Sequence, residues 1–362
     1  MLYIAEPEAL GDFLPGEPRY RADQLREWLY KHPVLDAGAM TNLPGSVRDA
    51  IGEDLWPFEL VMEQSGDEGR TRKWLLRCND GAAIEAVVMG YPSRTTLCVS
   101  SQVGCAMGCT FCATGQFGFG RHLVAGEIVA QVAFANAYLG ANPLPGSPDR
   151  VTNIVFMGMG EPLANYQHTA EAIRRMVDEM GMSARSITVS TVGFVPGMRK
   201  LVEAPWPVTL TVSLHSTIPA ERSRLVPIND RYPLEEVVEA AHEYYLAKGR
   251  RVSLEWTLIA GENDSDIEAI NLAQIARGIH AHINVIPLNP TPRSDHRPPT
   301  DDHVRRFLRT LADQGANATL RDTRGRDIDA ACGQLRLRAE GAQHPSNYAG
   351  TDNTHHTATS EE

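Results

Sequence analysis

The chain has 362 residues, 22% charged and 43% hydrophobic, with a net charge of −11. That balance excludes disorder as the main state and allows one large core or two smaller domains. No run of about 18 uninterrupted apolar residues occurs, which excludes a continuous apolar membrane span, and the opening Met1-Leu2-Tyr3-Ile4-Ala5-Glu6 lacks the basic-then-apolar order of a secretory signal, so the expected compartment is the cytoplasm with no membrane partner.

Up to about residue 70 the pattern is helical. Leu25, Trp28 and Leu29 share one face of an arginine-rich stretch that includes Arg19, Arg21 and Arg26, and a second short segment follows near residues 47–55. This predicts a small N-terminal helical accessory domain over 1–70. Two extended runs then flank Asn79-Asp80-Gly81, a turn rich in residues that tolerate positive φ, and predict a β-hairpin within 71–92.

From Thr95 short apolar strands alternate with amphipathic helices, the order that builds an α/β fold around a parallel sheet. Expected strands are 95–100, 152–157, 187–192, 208–214, 252–259 and 283–288, with 318–322 as an extra. Helical faces recur at Ile128, Val132, Ala135 and Leu139, and at Leu234, Val237, Val238, Ala241 and Tyr245. The expectation is a partial six-stranded (β/α) barrel over 93–338, with its site at the C-terminal ends of the strands. Residues 140–149 form a surface loop, and 341–362, with almost no apolar side chains, a disordered tail.

The six cysteines (Cys78, Cys98, Cys105, Cys109, Cys112 and Cys332) are too few and too unevenly spaced for a disulfide framework. Metal binding or catalysis is the expected use. Cys105, Cys109 and Cys112 follow the first barrel strand directly, and three thiolates so close favour iron–sulfur, zinc or copper(I). Zinc needs a fourth ligand, for which His122 is the candidate. A 4Fe–4S cluster on three cysteines instead leaves one iron open for chemistry.

Cys-x3-Cys-x2-Cys with Phe111 before the third cysteine resembles the motif of radical S-adenosylmethionine (SAM) enzymes. The resemblance implies that Cys105, Cys109 and Cys112 bind one 4Fe–4S cluster. Its open iron takes the amino and carboxylate groups of SAM, which is cleaved to methionine and a 5′-deoxyadenosyl radical. Gly158-Met159-Gly160-Glu161-Pro162 resembles the segment that binds the SAM amino group, with Gly160 and Glu161 as contacts. Ser190, Ser213, Leu214, His215 and Asn289, at later strand ends, complete the expected SAM contacts; each is otherwise a cap or turn residue.

The stretches around Cys98 (Thr96 to Cys105) and Cys332 (Gly325 to Leu335) closely resemble one family, the dual-specificity radical SAM adenine-C2 methyltransferases of 23S rRNA and tRNA, or RlmN family. The resemblance runs from about Arg19 to Arg338. It implies that Cys332 takes a methyl from one SAM and that a second SAM supplies the radical removing hydrogen from that methyl. The thiomethylene radical then adds to adenine C2, and Glu85 accepts the C2 proton. Cys98 releases the product by forming a transient disulfide with Cys332. Without the resemblance Cys98 and Cys332 read as buried hydrophobe-like thiols and Glu85 as an exposed hairpin residue; Cys78 keeps the plain reading.

Further expectations are an external electron donor and a monomer. The acidic total taken alone argues against an RNA partner. Residues 303–340 nevertheless carry eight arginines against five acids, and the basic residues are 30 Arg to four Lys. Arginine chelates phosphate and stacks on bases, so Arg19, Arg21 and Arg26 of the N-terminal domain, read as RNA-binding, and the arginines after Val304 are the candidate RNA contacts, though a genome's composition bias accounts for the excess equally well. Two alternatives stay open: the sister C8 adenine methyltransferase of antibiotic resistance, and a non-catalytic metal-bearing RNA-binding protein.

Overall fold

The computed structural model describes residues 1–52, 54–291 and 294–321. Two helices open the chain, α1 (Tyr20–Tyr30) and α2 (Gly45–Gly52), each burying one apolar edge through Leu25, Leu29 and Tyr30 and through Val47 and Ile51. The helical pattern ends there. Strand β1 (Phe58–Gly66) pairs antiparallel with β2 (Thr71–Cys78), although the sequence reading assigned everything up to residue 70 to helices. The reason lies in its position: β1 is an edge strand whose middle residues are exposed on both faces, so it shows no apolar alternation.

The expected hairpin is β2 with β3 (Ala83–Tyr91), closed at Asn79–Gly81 where Gly81 takes φ +84. It is not a separate extension, because β3 continues antiparallel into β4 (Arg94–Cys98) and so joins the barrel sheet. After β4 a two-stranded ribbon, β5 (Gln102–Gly104) and β6 (Phe119–His122), frames the cysteine loop.

The remaining chain alternates as α3 (Ala125–Ala141), β7 (Asn153–Phe156), α4 (Tyr166–Asp178), β8 (Ile187–Thr191), α5 (Val195–Glu203), β9 (Thr209–Ser213), α6 (Pro219–Leu225), α7 (Leu234–Lys248), β10 (Ser253–Leu258), α8 (Asp266–Gly278), β11 (His282–Pro287), α9 (Asp301–Asp313) and β12 (Ala318–Leu320). Strands β4, β7, β8, β9, β10 and β11 run parallel in that order, which is the six-stranded partial barrel expected, and β12 adds a parallel seventh beside β11. The described sheet stays open between β1 and β12.

Alternation along these strands fixes what lies inside. Ile154, Phe156, Ile187, Val189, Leu210, Val212, Leu254, Trp256, Ile283 and Val285 are buried in the apolar layer, under the helices. The intervening positions (Thr96, Val155, Thr188, Thr211, Glu255 and Asn284 among them) line a cavity of about 410 Å³ inside the sheet. Helix α3, apolar on nearly all sides, is covered both by the sheet and by the N-terminal segment, whose Tyr3 carbonyl lies where a side chain on Gly126 would stand. One apolar cluster therefore runs from Leu2 through Trp74 and Phe134 to Leu311, and the N-terminal helices share it. Among the described residues no helix is long and apolar enough to cross a membrane.

Candidate active site

The cysteine loop hangs from the β5–β6 ribbon at the mouth of the barrel. Gly104 sits at φ +77 directly before Cys105, and a Cβ there would run into the Gly118 carbonyl, so only glycine closes the ribbon. Cys105 N–H donates to that same carbonyl at 2.8 Å, and Thr110 N–H donates to Leu225 O at 3.1 Å, docking the loop on α6. Cys109 is buried and Cys105 and Cys112 half-buried.

Burial pushes the Cys105 thiol up to about 12 and the Cys109 thiol well above its ordinary range, and both are raised further by Cys112. Three thiols that oppose one another's ionisation and are cut off from water need a cationic group to become thiolates. The donor set thus fits an iron–sulfur cluster. Among the described residues no three Cys, His, Asp or Glu side chains converge as ligands of a single ion, and His122 pairs instead with Gln102 at 3.0 Å. A buried cation lies close by: Arg222 is fully buried, donates to Leu214 O, Asn229 Oδ1 and Val192 O, and is drawn electrostatically toward Cys109.

The Gly158–Pro162 turn after β7 is locked to the chain after β4. Met159 N–H donates to Ser100 Oγ at 2.9 Å, and Glu161 N–H donates to Gln102 Oε1 at 2.8 Å. Gly160 holds φ +107 against Gln102, whose backbone nitrogen lies 2.7 Å from where a Cβ would be. Glu161 is buried and its two carboxylate oxygens accept N–H groups from Leu163 and Val192 at 3.0 Å each, tying the turn to the end of β8. Burial pushes its carboxyl up to about 7.

Ser190 and Ser213 occupy inward positions at strand ends, and Asn289 stands half-buried after β11. Leu214 differs from them: its side chain belongs to the apolar core, and its backbone donates to Glu255 O and accepts from Arg222. His215 is buried at φ +62, its Nδ1 accepting the Thr257 N–H at 3.0 Å and its ring edge-on to Phe111 at 4.7 Å. Burial, with Arg222 nearby, pushes its imidazole down to about 3. It is therefore neutral, with its proton on Nε2.

On the other side of the mouth, Val87 on β3 lies opposite Cys98, and Met89 opposite Thr96. Met89 and Thr96 line the cavity, so Cys98, two residues on, shares the inward face, and so does Glu85. Glu85 is not the exposed hairpin residue of the plain reading; it is fully buried, with Lys73 Nζ at 3.0 Å and equally buried. Sequence reasoning missed Lys73. The signal was present: a turn centred on Asp80 sets Lys73 opposite Val87, diagonal to Glu85, and a lysine beside Trp74-Leu75-Leu76 needs a partner.

Of the arginines marked for RNA, Arg26 is held bidentately by Glu179 at 2.6 and 2.5 Å and Arg21 binds Asn42 O, so both brace the N-terminal helices. Arg305 and Arg306 are exposed on α9, in ion pairs with Asp302 and Asp266, and Arg321 faces Glu255. Cys332, the arginines beyond Arg321 and the tail lie outside the described residues.

An open parallel barrel with a three-cysteine loop at its mouth defines a radical SAM enzyme. A family model described as the radical SAM superfamily matches residues 99–273, and one described as the ribosomal RNA large subunit methyltransferase N-terminal domain matches residues 5–55. The chain belongs to the dual-specificity RNA methyltransferase RlmN family. It is 47% identical over 332 residues to the probable dual-specificity RNA methyltransferase RlmN of Salinispora arenicola, covering 90% of this chain and 87% of that one. A relative of the same name from Parafrankia sp. is 50% identical, covering 88% and 86%. The crystal structure of a radical SAM methyltransferase from Sphaerobacter thermophilus matches with a TM-score of 0.85 at 46% identity, covering 92% of this chain and 98% of that one.

Proposed function

We propose that this enzyme methylates C2 of adenosine in 23S rRNA and in tRNA, with Cys105, Cys109 and Cys112 as cluster ligands and Gly160, Glu161, Ser190, Ser213, the Leu214 backbone, His215 and Asn289 as SAM contacts. When bound, the cluster and SAM supply a transferable methyl and a 5′-deoxyadenosyl radical. The observation that carries the reading is the placement of Glu85 and Cys98 on one inward face beside the turn that would hold SAM. Adenine C2 lies between two ring nitrogens and is too electron-poor to attack a sulfonium methyl directly.

The chain's own groups then have defined tasks. Cys332 carries the methyl to the base. Glu85 takes the C2 proton while the C–H electron pair stays in the purine ring, and the one electron left over from radical addition would return to the cluster held by the cysteine loop. The Cys98 sulfur attacks the Cys332 sulfur; the S–S bond forms as the S–CH2 bond breaks, and its electron pair passes to the base-bound carbon, which picks up a proton to become methyl. The remaining parts of the proposal are an external electron donor, a monomeric state, a flipped or unstacked adenosine and a cytoplasmic location. Mass spectrometry of nuclease-digested rRNA and tRNA after reaction tests the reading: 2-methyladenosine is expected, whereas 8-methyladenosine, or no methylation by cluster-loaded enzyme with reductant and SAM, rejects it.

The raised Glu161 carboxyl gives a pH prediction. Between its ordinary value near 4.5 and about 7 the folded chain keeps a proton there that must leave before the carboxylate can accept an N–H from the SAM amino group. SAM affinity should therefore climb as pH rises toward 7 and level off above. Glu161→Gln should flatten that climb and weaken binding about tenfold at neutral pH. Equilibrium SAM binding to reconstituted enzyme between about pH 5.5 and 8.5 checks both; an unchanged climb in the variant would remove Glu161 from the SAM site.

A further inference from the structure

We propose that Lys73 is the positioning residue for the proton acceptor, fixing the Glu85 carboxylate on the Cys98 face and supplying its counter-charge. The inference rests on the reading of Glu85 as that acceptor. Lys73, Val87 and Cys98 stand opposite one another across β2, β3 and β4, forming one cross-strand row on the inward face. Glu85 sits one step along the same face, and its Oε2 lies 3.0 Å from Lys73 Nζ with both side chains at 0% exposure. Its main chain is held too: Ser100 Oγ donates to Glu85 O at 2.6 Å and accepts the Met159 N–H at 2.9 Å, so the strand carrying Glu85 is tied to the turn before Glu161.

Stability does not explain such a pair. Taking both charges out of water costs more than an apolar pair of similar volume, and replacing a buried ion pair by hydrophobic residues is often neutral or stabilising. Trp74, Leu75 and Leu76 around it show that this region of β2 packs apolar side chains readily. What an ion pair adds here is a carboxylate held in one orientation in the water-poor interior, where a misplaced base loses proton-transfer rate steeply.

The test separates chemical steps in a single turnover of methylated, cluster-loaded enzyme with RNA. Deoxyadenosine release reports the radical step, and denaturing gels report the covalent enzyme–RNA adduct and its resolution. In Lys73→Met the deoxyadenosine burst should stay within about twofold of the parent while resolution slows at least tenfold and adduct accumulates. Lys73→Arg, which keeps the charge, should recover resolution to within about threefold. If Lys73→Met does not fold, Lys73→Gln, which keeps a donor without the charge, should show the same partition. Resolution at the parental rate, an equal fall in burst and resolution, or a Lys73→Arg enzyme as slow as the uncharged variant overturns the proposal. Glu85→Gln is run alongside: if it resolves normally, the assignment of Glu85 has failed, whatever Lys73 does.

Discussion

Cys98→Ala should stall the enzyme with RNA covalently attached, whereas Cys332→Ala should lose methylation without attaching RNA at all. The asymmetry follows from the order of bond-making. On the proposed route Cys332 would carry the methyl that becomes the link to C2, so its loss would remove the first bond, and Cys98 would act only after that bond exists. Cys98 sits near the end of β4, 6% exposed, on a strand paired on both sides by β3 and β7. A small thiol in a rigid sheet behaves as a small hydrophobe, so alanine should cost about 1 kcal/mol of stability or less and leave the cluster loop intact. Product release, by contrast, should fall at least ~10³-fold, because no other group supplies the attacking sulfur. Cys78 is the natural control: burial pushes its thiol up to about 12, and it stands at the far end of the hairpin from the row containing Cys98. Cys78→Ala should turn over normally. Denaturing gels with labelled RNA, run beside deoxyadenosine quantitation, read all three variants, and equal behaviour of Cys98→Ala and Cys332→Ala would contradict the roles assigned.

Much of this arrangement was legible in the residues, for reasons that vary along the chain. The barrel strands were readable because each buries alternate aliphatic side chains under helices; Ile187 and Val189 on β8 and Leu254, Trp256 and Leu258 on β10 are such positions. Strand β1 was not, since an edge strand with Glu59 to Glu63 exposed carries no alternation to read. The β5–β6 ribbon escaped for a different reason: its strands are three and four residues long and separated by the cysteine loop, and its closure depends on Gly104 meeting Gly118 across that gap. The cysteine trio was visible from its spacing and the other site residues only through the family resemblance, but their burial was not. Glu85 looked like a solvent-facing hairpin residue until the β3–β4 pairing put it inside. Glu161 looked like a simple acceptor, and only the turn geometry revealed that backbone N–H groups already occupy both its oxygens.

Replacing Cys109 should have the broadest effect of any single substitution in this chain. It is the most buried of the three loop thiols, and its surroundings are apolar: Leu225, Val226, Ile259 and Leu288, with Phe111 and Met107 against them. Such a wall excludes water and oxygen, and it also means that no outside ligand can take the place of the missing thiolate. Cys109→Ala should bring iron down from about four per chain to a small fraction of that, with the brown colour lost. Deoxyadenosine formation and RNA methylation should both vanish. The fold itself should persist, because the loop is docked by main-chain bonds, Cys105 N–H to Gly118 O and Thr110 N–H to Leu225 O, that do not involve the sulfur. Arg222 makes the point sharper. Its three hydrogen bonds hold a buried guanidinium within electrostatic reach of Cys109, where it would offset the negative charge of cluster-bound thiolates, and it stays there when the thiolate is gone. The alanine variant should then carry an unbalanced buried cation and be less stable than the loss of one sulfur would explain, by about 1–3 kcal/mol, a deficit that Arg222→Met in the same chain should relieve. Iron analysis, absorbance and thermal denaturation of the parent, the single variants and the double variant check this. Stoichiometric iron or persistent deoxyadenosine formation in Cys109→Ala would remove that thiol from the ligand set, and with it the reading of the loop.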